Sequence, residues 1–228
     1  MEGRLFTFLG TIGGHGQEWI ILSHYVLVIG IIFLIARAAT RKLQLVPTGA
    51  QNVMETFVGG IITMGADTMG EKNARVYMPL IASLAIVIFV SNMIGVIPGF
   101  EAPTSNINFT LSLALIVFVY YNYVGIQKNG FVNYFKHFMG PMPILAPLMF
   151  PIEIISHISR IISLSFRLFG SIRGDDMFLM VLLMLVPWLL PLPGFFLLTA
   201  FGFLQAFIFS ILTYVYIAGS VMMEHEEH

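Results

Sequence analysis

The stretch IEIISHISRIISLSFRLFGSIRGDDMFLMVLLMLV, residues 152–186, decides how this chain is read. It contains no proline, and as one helix it would run about 50 Å, well beyond the roughly 30 Å of a bilayer's hydrocarbon core. Such a helix must tilt strongly or break. Into this apolar setting the sequence places Glu153, His157, Arg160, Arg167, Arg173, Asp175 and Asp176. A charge at the centre of a bilayer costs about 2.5–3.5 kcal/mol or more, so several in one segment imply water, partners or a function.

Their phase on a helix is ordered. At about 100° per residue, and with Arg167 as zero, Glu153, Ser156, Arg160, Ser163, Ser171 and Gly174 all fall within about 40° of it. His157 and Asp175 sit at the edge of this stripe, Asp176 points to the back, and Arg173 lies well to the side. Two readings follow. In one, Glu153 and Arg160 pair within the helix and the arginines extend to lipid headgroups. In the other, the stripe faces something wet or charged outside its own helix. Arg167 favours the second, because its i−4 and i+4 neighbours are Ser163 and Ser171 and no carboxylate stands at either spacing. Its counter-charge is then expected from another chain.

The rest of the sequence supplies the membrane context. Of 228 residues, 57% are hydrophobic and 10% charged, whereas soluble domains carry about 25% charged residues. The net charge of −1 and the absence of a basic run exclude a nucleic-acid partner. With no cysteine, disulfides, thiolate metal sites and cysteine nucleophiles are excluded too. No G-x-x-x-x-G-K-[ST] loop occurs, so ATP chemistry is not expected on this chain. In the tail EHEEH, residues 224–228, His225 and His228 are three apart without H-E-x-x-H spacing, and a solvated tail is expected rather than a metal site. No cofactor is implied. Asn108-Phe109-Thr110 fits a glycosylation sequon but reads better as a helix start. The first residues, MEGRLFTFLG, lack the pattern of a cleavable signal.

Residues 19–39, 78–97 and 109–126 are apolar and long enough to span, and the more polar residues 47–70 read as a helix lying on the membrane surface. Pro98-Gly99 ends the second span, and residues 101–108 and 127–143 are polar connections. Pro187, Pro191, Pro193 and Gly194 form a turn into a last apolar segment, residues 195–223. There Leu198, Gly202, Gln205, Phe209, Leu212, Tyr216 and Gly219 recur on one face, with Gln205 and Tyr216 its polar members. The expected architecture is an all-α membrane protein: five membrane-crossing segments plus an amphipathic surface helix, ending in a long, strongly tilted helical hairpin. It forms a single membrane domain, with spans and surface helix over residues 1–143 and the hairpin over 144–228. No internal repeat appears, against a duplicated transporter. Arg37, Arg41, Lys42, Lys72, Arg75, Lys128 and Lys136 all fall on one side of alternating spans, with Arg4 opposite. The positive-inside rule then puts the N-terminus outside and the C-terminus in the cytoplasm.

Residues 163–170, SLSFRLFG, resemble the signature SLxLRLFGN around the essential arginine of subunit a of F-type ATP synthases. Residues 153–160, EIISHISR, are similar to that family's E-x-x-S-x-x-S-[KR] run, and residues 204–209, LQAFIF, to its LQAFIF segment. Further similar marks are Val46-Pro47 with Gln51, Asn52 and Glu55, Ser91-Asn92 with Gly95, and Pro103-Thr104 with the residues from Asn108 to Leu111. The chain departs from the pattern in three places: Ser171 stands where asparagine is usual, Asp176 where glutamate is common, and Leu198 where some relatives carry an ionisable group.

The resemblance implies a non-catalytic subunit of a bacterial inner-membrane complex. Its N-terminus would be periplasmic, and its partners the ring of c subunits, the b stator stalk, the remaining synthase subunits and the lipid bilayer. It also implies two offset half-channels passing protons to and from ring carboxylates. Arg167 would be the essential charge, with Gln205, Glu153, Ser163, Ser171, Asp176, Asp175, Arg160, His157 and Tyr216 along the ion path. The rival reading is a self-contained secondary transporter or ion channel with Arg167 as substrate counter-charge. Such a protein would transport without any ring.

Overall fold

A computed structural model describes residues 17–41, 43–130, 146–185 and 191–221. Among these residues the secondary structure is entirely helical: α1 Gln17–Thr40, α2 Ala50–Met69, α3 Glu71–Val96, a 3-10 turn Pro103–Ser105, α4 Ile107–Asn129, α5 Ala146–Leu185 and α6 Pro191–Val221. Four stretches are long and apolar enough to cross a membrane: Trp19–Thr40, Glu71–Val96, Ile107–Asn129 and Leu192–Val221. The apolar runs explain them directly, since a backbone in hydrocarbon must satisfy its own hydrogen bonds and a helix does so within one segment.

Four of the five expected crossings coincide with these stretches, with shifted ends, while residues 152–185 are helical but not among them. α3 starts at Glu71 rather than near Met78, because Gly70, with φ 80°, ends α2 and lets the chain restart at once. The polar first turn is held by an Arg75–Glu71 pair at 2.8 Å. A reading by apolar windows misses a helix end built from such residues. The proline turn is corrected as well: Pro191 and Pro193 lie inside α6, where a first-turn N–H has no intrahelical partner to lose. Pro187 lies outside the described residues. Of the two outcomes open for the long segment, a break is excluded, since α5 runs 40 residues without interruption, through Pro151 and Gly170.

α6 is the hub of the bundle, packing on α3, α4, α5 and α2, while α5 leans on α4 and α6 alone among the helices with extensive contact. The main core gathers Ile81, Ile88, Val117, Leu168, Phe209 and Ile217, and a smaller one joins Val28 of α1 to Val90 and Ile94 of α3. α2 buries Gln51, Ile61, Gly65 and Met69, the one-sided pattern expected of an amphipathic helix. At Gly65 a Cβ would come within 2.5 Å of the Tyr214 ring, so only glycine permits that contact with α6.

Cross-links fix which helix ends lie together. Tyr214 Oη donates to the Ala74 carbonyl (3.4 Å) and Asn129 Nδ2 to the Ser220 carbonyl (2.9 Å). At the other end the Glu101 N–H donates to His24 Nε2 (3.1 Å) and Asn92 Nδ2 to the Gly202 carbonyl (3.1 Å). The helices therefore alternate in direction. Arg37, Arg41, Lys72, Arg75 and Lys128 belong to segments that meet at the first end. Arg4, Lys42, Lys136 and the tail from 222 onward lie outside the described residues.

Candidate functional site

α5 presents two unlike faces. Leu164, Ser165, Leu168 and Ile172 are buried against the bundle, Leu168 completely, and Ser165 Oγ shares a 3.1 Å hydrogen bond with Thr110 of α4. Ser163, Phe166, Arg167, Gly170 and Gly174 are exposed on the other side. A 3.6-residue repeat produces this division, because the large aliphatic residues recur at i, i+4 and i+8 from Leu164. Among the described residues, no carboxylate lies within ion-pair distance of Arg167. The outward centre of the predicted stripe is thus where it was expected, while Glu153, Ser156, Arg160 and Ser171 are half-buried at its borders.

Toward the start of α5 the predicted residues form a cluster. Tyr121 Oη of α4 is 2.8 Å from His157 Nδ1, and His157 Nε2 is 3.5 Å from Glu153 Oε1, a separation longer than a firm hydrogen bond. Among the described residues, no ion pair joins Glu153 to Arg160, which corrects one of the two readings of the stripe. Arg160 instead places its guanidinium carbon 5.7 Å from the centre of the Tyr216 ring. The face of an aromatic ring attracts a cation, and this contact satisfies Arg160 without using a carboxylate. The Tyr121 and Tyr216 rings stand 6.2 Å apart, so one group of side chains ties α4, α5 and α6 together.

A second polar group lies on the far side of Arg167. Ser171 Oγ donates to Gln205 Oε1 at 3.3 Å. Gln205 is 5% exposed and its Nε2 has no hydrogen-bond partner among the described residues; a buried N–H of this kind is stabilised by an acceptor such as a water or a carboxylate. Asp175 and Asp176 turn inward, as the back position predicted for Asp176 requires, and line a cavity of about 20 Å³ with Asn92, Gly95, Ala102, Leu198 and Gly202. That volume suffices for about one water. Its wall is built by a relay of hydrogen bonds: Thr104 Oγ1 donates to Asn92 Oδ1 (2.7 Å), whose amide donates to the Gly202 carbonyl. Predicted face residues Leu198, Gly202, Gln205 and Phe209 of α6 are buried, and Tyr216 is half-buried.

The two polar groups sit on either side of Arg167. By helical rise, His157 is about 15 Å before it and Asp176 about 14 Å beyond it along α5. Sequence reasoning left out Tyr121, Thr104 and Asn92 as walls of these groups. Tyr121 carries no local signal, as one tyrosine among Tyr120, Tyr121 and Tyr123. Asn92 had one, an amide inside an apolar span, where unsatisfied polar groups are expensive.

Fold and site together define a class: a multi-pass membrane protein whose longest helix turns an unpaired cation away from its own bundle, with a polar group on each side. Residues 20–218 match the family described as ATP synthase A chain. The chain is 92% identical over its full length to the full-length ATP synthase subunit a of Aliarcobacter butzleri. It is 59% identical to that of a Nitratiruptor species, over 100% of this chain and 99% of the relative. With that of Campylobacter jejuni subsp. jejuni it shares 62% identity over 88% of this chain and 89% of the relative. The chain belongs to the ATP synthase subunit a family, the non-catalytic, proton-translocating subunits of the Fo sector. Its apolar helices and bacterial relatives make it a multi-pass inner-membrane protein of the ATP synthase complex.

Proposed function

We propose that Arg167 is the charge past which the carboxylates of a c-subunit ring move, and that two half-channels, one on each side of it, carry protons to and from that ring. The observation that carries this reading is the outward, unpaired Arg167 on a face of small and apolar residues, Ser163, Gly170 and Gly174, which leaves room for a close neighbour. A guanidinium stays charged at any physiological pH and favours the ionised form of a carboxylate brought beside it. It thereby drives the proton off the carboxylate toward one path and blocks direct passage to the other.

In this reading α5 is a fifth membrane crossing. At about 60 Å it exceeds the core thickness about twofold and therefore lies strongly tilted, in a hairpin with α6. The basic helix ends face the cytoplasm. Glu153, His157, Arg160 and Tyr216 then border the cytoplasmic path, and Asp175, Asp176, Ser171 and Gln205 the periplasmic one. Ser163 lies between them beside Arg167. The b stalk holds the subunit against the ring's motion.

Arg167→Ala is the test. Alanine keeps the helix, so the subunit should still insert and assemble while proton-driven ATP synthesis in membrane vesicles falls to background. Synthesis at the unsubstituted rate would overturn the reading.

A further inference from the structure

Two buried histidines, His24 and His157, are held in opposite chemical situations. His24 is 2% exposed. Its Nδ1 is 2.7 Å from the Ile20 carbonyl, which only accepts, and its Nε2 faces the Glu101 backbone N–H, which only donates. One tautomer fits: Nδ1 carries the hydrogen and Nε2 the lone pair. With both ring nitrogens engaged by backbone groups, His24 ties α1 to the segment before the 3-10 turn.

His157 meets no such constraint. Its Nδ1 partner is the Tyr121 hydroxyl, which both donates and accepts, and its Nε2 lies 3.5 Å from a Glu153 carboxyl oxygen. With a neutral ring, Nδ1–H donates to Tyr121 and the lone pair of Nε2 faces Glu153. When the ring gains a proton at Nε2, beside the carboxylate, Nδ1–H goes on donating to Tyr121, whose hydroxyl keeps its hydrogen turned away. Both states keep their contacts. Among the other titratable or charged groups around the ring, Arg160 on the same helix opposes an added positive charge, with its guanidinium over the half-buried Tyr216 of α6. Glu153 favours the added charge, and its side chain is 33% exposed, so it reaches both water and the imidazole.

We propose that Glu153 and His157 form a two-position proton-holding site on the path at the start of α5, and that Tyr121 is the positioning residue that lets the imidazole accept and release the proton. The proton arrives from the outward face on a Glu153 oxygen, leaves it for Nε2 of His157 to give an imidazolium beside a carboxylate, and returns to water by the same route. No other bond changes. This rests on the half-channel reading, and it adds a named acceptor and the reason the acceptor can switch.

The test uses the assembled ATP synthase in inverted membrane vesicles, with ATP-driven proton pumping followed between about pH 5 and 8, the range in which histidine changes charge. His157→Gln keeps hydrogen-bonding capacity but cannot titrate. It is expected to change the shape of the pH–rate profile, removing one limb, with subunit abundance unchanged. Tyr121→Phe, which removes only the hydroxyl that accepts from Nδ1–H, should alter the same limb, and Tyr121→His, which restores a hydrogen-bonding group, should return part of it. His24→Gln, at the histidine whose two nitrogens are both engaged by backbone groups, should leave the profile's shape intact. Profiles of unchanged shape in assembled His157→Gln and Tyr121→Phe enzymes would overturn the proposal. If His157→Gln fails to assemble, the Tyr121→Phe profile alone decides. Failure of the underlying reading shows separately, as ATP synthesis that survives Arg167→Ala.

Discussion

The inward and outward faces of α5 are built from the same helix and treat polar groups in opposite ways. Inward or at the border, hydroxyl, imidazole and amide find partners in neighbouring helices: Ser165 with Thr110, His157 with Tyr121, Ser171 with Gln205. Outward, Arg167 has no acidic partner within reach among the described residues. Each of these side chains makes a hydrogen bond inside the chain, and an unmade bond in a low-dielectric interior costs about 1–3 kcal/mol. Where the chain leaves a cation incomplete, the completing group has to come from elsewhere.

The widest contrast between the faces is available to cysteines, which can be introduced singly because the chain has none. Cysteines at Ser163 and Gly174 should crosslink to cysteines placed beside the carboxylate of the c ring, while one at buried Ser165 should remain at background. Equal yields from Ser163 and Ser165 would erase the distinction between the faces. The next effect is chemical. Arg167→Lys retains the charge but loses the planar fork, and ATP synthesis should drop about 100-fold, near 3 kcal/mol of lost stabilisation; an unimpaired lysine enzyme would mean that charge alone suffices. The smallest effect belongs to the inward face. Leu168→Ala, at a position with no exposure, should lower detergent-measured stability by about 2 kcal/mol, the low end for such truncations because lipid leaves packing rather than water exclusion as the main loss. Thermal aggregation of the purified complex would check it, and an unchanged midpoint would count against tight packing there.

Much of this contrast was legible in the sequence. The phase of Ser163, Arg167 and Gly174 follows from helical geometry alone, since α5 stays continuous through Gly170 and no kink disturbs the count. The apolar runs likewise announce α1, α3 and α4. What could not be read were partners distant along the chain. Asn92 reaches Gly202 across 110 residues and Tyr121 reaches His157 across 36, and no local periodicity encodes either meeting. The pairing of Glu153 with Arg160 failed for a related reason: spacing on one helix says nothing of a tyrosine ring on another that offers the arginine a competing contact. The prolines misled differently, because a residue that breaks a helix in its interior is well placed in its first turn.

The continuity of α5 also has a mechanical side. Three side-chain ties hold the helix to its neighbours, at His157 and Ser165 to α4 and at Ser171 to α6. Arg167 lies between the last two, so the helix there resembles a beam supported on both sides of the point that bears the load. A sideways pull on the guanidinium is shared between α4 and α6 rather than bending a free end. The supports stand only about 9 Å apart along the axis, less than two turns, which keeps deflection small and holds the arginine at a fixed height while anything in contact with it moves past.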